Sequence, residues 1–385
     1  MATPPYALLM STTPRPSKLR VVVIAEGPPA RGGIPTFATT LVDHEWLRSA
    51  VDIELLNTTR RAVRRGGAPS VSNVGRLVVD VGRTWRAARR SDVVHVQTAL
   101  MPLLPLLRAL ALCTSARIAG AVVLCHVHSG RVNSGRQEAF SPGRGTRFLL
   151  RGLRVADRVL TVSRSGTAAL APLIATTVET VDNAVDVGSF SIAPLAGEPP
   201  VLVYLGTLSR RKGMGDLLEA LHLLRERGVD AWRLVIVGGP ADVGAAEAAE
   251  LQAAVQALGL GSSLVGALAP PDVRAQLLDA DVFVLPSHWE GQPIAILEAM
   301  ATGLPIVTTS VGANPDVVRA EIDGILVEPH DPPALAAALE RVLSSSELRR
   351  SLGSSARERV SDGHDLDQLA HRMAGIYKET VGRRG

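Results

Sequence analysis

Two series of short apolar runs alternate with amphipathic stretches along the 385-residue chain. The first opens with a run at 19–25, a Gly/Pro loop reaching Gly33, and a helical pattern at 35–48. Strand-length runs follow at 52–56, 92–96, 121–127, 158–162 and 178–181, with helical patterns between them, including a basic one at 71–90. The second series places runs at 201–205, 233–237, 281–285, 305–308 and 325–327 around helical stretches at 216–227, 245–258 and 293–301. Continuous apolar runs separated by helices are the pattern of parallel strands buried on both faces. The pattern predicts an α/β protein of two Rossmann-like domains facing an interdomain cleft. Their expected bounds are 20–190 and 201–360, joined by a linker at 191–200 inside the Gly/Ser/Pro-containing stretch 188–200. A closing helix over 361–385 is expected to pack back on the first domain. Residues 1–19, with four prolines and no sustained apolar run, read as a disordered tail instead of a leader.

Length agrees with this division, since 385 residues exceed one ordinary core. No stretch of about 18 apolar residues is free of charge or proline, so a spanning helix is not expected. The run at 99–113 comes nearest and is interrupted by Pro102, Pro105 and Arg108. The two cysteines, Cys113 and Cys125, sit in apolar segments, which favours a reducing, cytoplasmic setting over a disulfide framework.

Charge divides the chain more sharply than its net +4 suggests. Residues 1–190 hold 24 Lys+Arg and 12 Asp+Glu, a surplus of 12; the rest hold 17 and 25, a deficit of 8. Basic groups recur at Arg60, Arg61, Arg64 and Arg65; at Arg83, Arg86, Arg89 and Arg90; and at Arg144, Arg147, Arg151, Arg154 and Arg158. The last series has helical spacing, which would gather it on one face. Such a face is either simply solvated or attracts an anionic membrane surface or a phosphorylated acceptor. A nucleic acid partner is not expected, because only 3% of residues are aromatic and no base-reading motif accompanies the charge.

The most informative chemistry lies at Glu290-Gly291-Gln292-Pro293, followed by Glu298. It puts one carboxylate before a helix and one inside it, directly after a strand. Ligands of open α/β sheets bind at the carboxyl ends of strands, and helix starts offer free N–H groups to anions. Together these suit a ligand with both phosphate and hydroxyls, such as a nucleotide sugar. Neither first loop carries G-x-G-x-x-G, which argues against a nicotinamide or flavin enzyme. The chain has three lysines against 38 arginines, so Lys212 in a glycine loop stands out.

These motifs occur in one order: Gly32-Gly33-Ile34, Asp92-Val-Val-His95, His126-Val-His128-Ser, Asn183-Ala-Val-Asp186, Gly206-Thr-Leu-Ser-Arg-Arg-Lys-Gly213, the Glu290 to Met300 stretch, and Gly303-Leu-Pro-Ile-Val307. Over about residues 20–360 the chain resembles the family 4 glycosyltransferases, which are retaining enzymes of the GT-B fold using nucleotide-sugar donors. The resemblance implies that Glu298 holds the donor ribose, Glu290 contacts the transferred sugar, and Lys212 neutralises the diphosphate. It implies that Gly33 lets the N-terminal loop approach the phosphates, with Gly206 and Gly291 in the donor site. A carboxylate can accept from two vicinal hydroxyls, and a compact ammonium can meet a leaving diphosphate.

His126 and His128 are expected to diverge to opposite faces, with His128 lining the cleft and touching sugar or phosphate. A two-histidine metal site there lacks a third ligand, and no metal or cofactor is expected to be required. His95 reads as core or rim, and Asn183 and Asp186 mainly as turn and interdomain structure.

Two positions depart from the family pattern. Thr207 stands where an arginine is usual, leaving Arg210 or Arg211 to supply the second cation. Gln292 replaces an apolar or aromatic residue, and its amide is expected to touch the donor. The expected activity is sugar transfer to a saccharide, glycolipid or lipid-linked acceptor, in the cytoplasm or peripherally at the inner face of the cell membrane. A nucleotide-sugar epimerase, a phosphorylase with a lysine-bound cofactor, and a non-catalytic nucleotide-sugar-binding protein are the alternatives.

Overall fold

The computed structural model describes residues 18–30, 32–59, 71–100, 103–129, 143–239, 245–259 and 262–384. The basic group at Arg60, Arg61, Arg64 and Arg65, and the tail as far as residue 17, lie outside the described residues.

The first sheet comprises β1 (Arg20–Ala25), β2 (Asp52–Asn57), β3 (Val93–Ala99), β4 (Val122–Ser129), β5 (Arg158–Thr161) and β6 (Thr177–Thr180). All pairs are parallel, in the order β2-β1-β3-β4-β5-β6. Its helices are α1 (Gly33–Asp43), α2 (Glu45–Ala50), α3 (Val71–Ala88), α4 (Leu103–Ile118), α5 (Arg144–Arg151) and α6 (Arg164–Leu170). The second sheet comprises β7 (Val201–Leu205), β8 (Arg233–Val237), β9 (Ser262–Gly266), β10 (Val282–Leu285), β11 (Ile306–Thr309) and β12 (Gly324–Val327). It too is parallel, in the order β12-β11-β10-β7-β8-β9. Around it lie α7 (Met214–Glu226), α8 (Ala245–Ala257), α9 (Pro270–Leu278), α10 (Ile294–Ala301), α11 (Asn314–Val317), α12 (Pro332–Ser344) and α13 (Ser346–Gly363). The last helix is α14 (Leu366–Gly382).

The unbroken apolar run of β1 has a direct cause in packing. Val21, Val23 and Ala25 face one core, while Val22 and Ile24 face a second core beneath α4. With both faces covered, no position is left for a polar residue. Each sheet reverses strand order at one place, β1/β3 in the first and β7/β10 in the second. A crevice opens at such a reversal, because successive connections leave toward opposite faces.

The domains meet through specific polar contacts as well as packing. Asn183 Nδ2 donates to the Gln292 carbonyl at 2.8 Å, and the Arg164 N–H donates to Asp316 at 3.0 Å. Helix α14 returns to the first sheet: Tyr377 meets His95 at 2.9 Å, Glu379 accepts from Arg158 at 2.9 Å, and His371 stacks on Trp46 at 3.5 Å.

Three local expectations change. The helix expected at 35–48 is two helices, broken at His44, whose Nδ1 caps α2 by accepting from the Leu47 N–H at 3.3 Å. Arg158 leaves the predicted helical face, because α5 ends at Arg151 and Arg158 opens a buried strand between Glu179 and Glu379. Strand β9 was not readable in advance, being a short edge strand whose Leu264 and Val265 are exposed and therefore break the buried-run signal.

Candidate active site

The loop after β7 and the loop after β10 meet at the reversal point of the second sheet. Gly206 follows β7 directly and donates its N–H to the Val237 carbonyl at 3.0 Å. A single 3-10 turn, Arg210–Lys212, follows and is capped by Ser209. Gly213 then adopts φ 71°, and a Cβ there would lie 1.8 Å from the Pro286 carbonyl oxygen. Only glycine permits this approach, which presses the basic turn against the end of β10.

The result is contact between Lys212 and Glu290. Their side chains are 14% and 8% exposed, and the ammonium bonds to the carboxylate. The Ser287 hydroxyl donates to the same carboxylate at 2.7 Å. Gly312, at φ 56°, lies under this loop, and a Cβ on it would stand 2.2 Å from the Glu290 carbonyl oxygen. Gly291 accepts from the Ala313 N–H at 2.8 Å, which completes the support. Ser287, Gly213 and Gly312 were not singled out from sequence; Gly213 had a visible signal in closing the basic loop, while Gly312 had none without the fold.

The arginines beside Lys212 separate cleanly. Arg210 is held by Glu250 at 2.6 and 2.7 Å, well to the side. Arg211 lies over the Trp289 ring at 5.4 Å and donates to the Trp289 carbonyl at 3.3 Å, with no ion pair among the described residues. Arg211 is therefore the second cation available near Lys212. Thr207 turns its carbonyl to the Tyr204 hydroxyl at 2.8 Å.

Glu298 stands in α10 and accepts no hydrogen bond among the described residues. It retains some contact with solvent, yet loss of hydration pushes its carboxyl up to about 7, against a weaker opposing pull from Arg274. A carboxyl so placed gains from any ligand that brings hydroxyl donors to it.

Gln292, expected to touch the donor, is held by the end of the first domain. Its Oε1 accepts from the Asn183 N–H, and its Nε2 donates to Asp182 at 2.9 Å. Both ends of the amide are thus engaged, and Gln292 fastens the second domain to the end of the first.

The opposing wall comes from β3, β4 and α1. The rings of His126 and His128 are 4.4 Å apart on one face, so the expected divergence does not hold. Residues two apart on a strand point the same way. His128 Nε2 meets Gln97 Oε1 at 2.6 Å, Gln97 Nε2 meets His95 Nε2 at 3.0 Å, and His95 Nδ1 meets Tyr377. Burial drives the His95 and His128 imidazoles down to about 3, so both are neutral at neutral pH. Gly33 is the first residue of α1, and the space beside its Cα is open.

The family model of glycosyl transferases group 1 matches residues 189–359. A D-inositol 3-phosphate glycosyltransferase of Xylanimonas cellulosilytica is 32% identical over 191 residues, 49% of this chain and 44% of that protein. An alpha-D-kanosaminyltransferase of Streptomyces kanamyceticus is 29% identical over 182 residues, 47% of this chain and 46% of that protein. The chain thus spans a little under half the length of these curated relatives. Among solved structures, a sucrose-phosphate synthase from Thermosynechococcus elongatus superposes with a TM-score of 0.77 at 21% identity, covering 95% of this chain and all 100% of that one. HepE of Anabaena, solved with UDP and glucose, superposes at 0.70 and 16% identity, covering 94% of this chain and 100% of that one. At these identities the likeness concerns the fold, which is GT-B.

Proposed function

We propose, from the match of residues 189–359 to the family model of glycosyl transferases group 1, that the protein is a retaining glycosyltransferase that takes a sugar from a nucleotide diphosphate donor. The observation that carries this reading is the Lys212–Glu290 contact at the strand-order reversal, with Glu290 eight residues before the unengaged carboxyl of Glu298 in α10. The ribose hydroxyls donate to Glu298, the diphosphate takes Lys212 and Arg211, and Glu290 turns to the sugar hydroxyls. Until a donor binds, Lys212 and Glu290 neutralise each other, so neither charge is buried alone.

In the transfer itself the bond from the anomeric carbon to the diphosphate breaks as negative charge grows on the departing oxygen. Lys212 and the open N-terminus of α1 at Gly33 stabilise that charge, and no metal ion is required in the step. In this reading Glu290 accepts from the sugar hydroxyls and from Ser287 and forms no bond to the anomeric carbon, so no covalent glycosyl intermediate is invoked. The acceptor hydroxyl attacks from the face the diphosphate leaves and passes its proton to the departing phosphate oxygen, so the new C–O bond replaces the broken one with the anomeric configuration retained. His128, held neutral, positions the sugar by hydrogen bonding and does not deliver a proton as a cation.

The acceptor in this reading is a saccharide, a glycolipid or a lipid-linked sugar. Support for a lipid-linked one comes from α5, where Arg144, Arg147 and Arg151 are exposed beside Phe148, itself 75% exposed, with Leu103, Leu104 and Leu107 exposed on the adjoining α4. No helix among the described residues is long and apolar enough to cross a membrane.

A thermal-shift panel of nucleoside diphosphates and their sugar conjugates tests the donor assignment. A shift confined to one base, followed by turnover whose product keeps the donor's anomeric configuration by NMR, is the expected outcome. No response to any nucleotide sugar would overturn the reading.

A further inference from the structure

A second constellation borders the donor loops and plays no part in the transfer described above. Asp216 lies in the first turn of α7, His288 follows β10, and His330 lies in the turn between β12 and α12. One ligand atom from each lies within 4.8 Å of the other two. His288 Nε2 is 2.9 Å from Asp216 Oδ2, and the rings of His288 and His330 are 3.7 Å apart. His330 has φ 62°, a left-handed conformation that a turn ordinarily gives to glycine or asparagine. Asp216 and His288 are half-buried and His330 is exposed, so the group is reachable from solvent at His330.

We propose that Asp216, His288 and His330 form a binding site for a divalent transition-metal ion, with zinc as the best match. Two imidazole nitrogens and one carboxylate oxygen are the ligand types zinc takes, and a tetrahedral ion about 2.0–2.2 Å from each leaves a fourth position for water. Three chain segments distant in sequence supply one ligand each, so the ion would tie the starts of α7 and α12 to the loop after β10. The metal also lies close to the transfer machinery without belonging to it. The His288 N–H donates to the Arg211 carbonyl at 2.9 Å, and Glu290 is the second residue after His288. An ion here therefore braces both loops of the Lys212–Glu290 contact from outside. This holds whatever sugar the protein transfers, and it can be tested with no donor present.

The experiment is zinc titration of the tag-free full chain by calorimetry, with cobalt absorption as a second readout of ligand type and geometry. One equivalent of zinc should bind, a cobalt complex should show the intense visible bands of a four-coordinate site, and the melting temperature should rise with zinc. His330→Asn keeps a residue tolerant of the left-handed turn and removes the imidazole. It should weaken zinc by at least about tenfold, the lower end of the loss caused by removing even an outer partner of a metal ligand. It should also abolish the zinc-dependent melting shift while leaving the metal-free melting temperature unchanged. Less than one equivalent bound by the wild type, or equal zinc affinity in wild type and His330→Asn, would overturn the proposal. Either result would leave donor binding, measured separately with nucleoside diphosphates, untouched.

Discussion

On the first domain's side of the cleft, three imidazoles, a carboxamide and a phenol are buried together without a charge among them. On the second domain's side, a lysine and a glutamate, nearly as buried, pair with each other. Burial acts on both walls in the same direction, against charge, and the outcomes differ because of partners. His95 and His128 have neutral partners in Gln97 and Tyr377, so desolvation wins and they give up the proton. Lys212 and Glu290 have each other, and mutual attraction repays the lost hydration. The wall charges are the reverse of what each half's composition suggests. The basic half buries neutral rings on β3 and β4, and the acidic half places Lys212 and Arg211 in the loop after β7. Among the described residues Arg144, Arg147, Arg151 and Arg154 of the basic half are exposed, whereas Arg158 is drawn into the core.

The strongest way to break this contrast is to delete one group from each wall. Lys212→Ala is expected to lower kcat by about 100-fold or more, the effect of losing a charged donor to a developing oxyanion, with a smaller change in KM. Lys212→Arg should recover only part, since a planar fork does not replace a point charge. His128→Asn should lower the rate while the pH profile keeps its shape between pH 5 and 9, because a group titrating near 3 has no inflection there. An inflection near 6.5 present in the wild type and absent in His128→Asn would show that His128 ionises during turnover.

Glu298 sharpens the comparison from the second domain alone, being a carboxyl with burial but no partner. Its folded-state pKa, about 7, is raised above the ordinary carboxyl value of 4.5. The protonated form therefore favours folding: its stabilising contribution is full below pH 4.5 and is lost as pH rises through 7. Glu298→Gln should flatten stability over that window by no more than about 3 kcal/mol, measured by denaturant unfolding at several pH values. Donor hydroxyls would favour the ionised form, so nucleoside diphosphate binding at pH 6.5 should release a proton, detectable by calorimetry in two buffers. Glu298→Ala should weaken that binding by about 1–3 kcal/mol. Equal affinity with no proton release would remove Glu298 from the donor site.

The smallest effect concerns the outer face of the first domain. Each basic residue near an anionic bilayer contributes about 1 kcal/mol, and the attraction fades with salt. Anionic vesicles should sediment the wild type at low salt and lose it on the joint change of Arg147, Arg151 and Arg154 to Ala. Equal recovery in the supernatant with anionic and neutral vesicles would leave α5 as a solvated face.

Much of the architecture is legible along the chain because a strand covered on both faces must be apolar at every position. β1, β7 and β10 announce themselves in this way, β3 only in part because it buries His95 and Gln97, and two such series suffice for two parallel sheets. Elements with an exposed side escape the rule, as β9 does at the sheet edge, and a cap inside a helical pattern, as at His44, hides the break it makes. Candidate chemistry was legible where residue type is rare in its setting, as with Lys212 among arginines. What the sequence by itself determined is which strands are buried, which half carries the positive charge, and which few polar residues stand at strand ends. Partnership was decided by tertiary structure: that Gln292 clasps Asn183, that Arg210 is taken by Glu250 while Arg211 is left, that Arg158 is drawn into a strand. It also brought Asp216, His288 and His330 together from three segments. A local pattern records whether a residue meets water or protein, but a hydrogen bond or an ion pair depends on which distant atom lies about 3 Å away, and only the folded chain sets that distance.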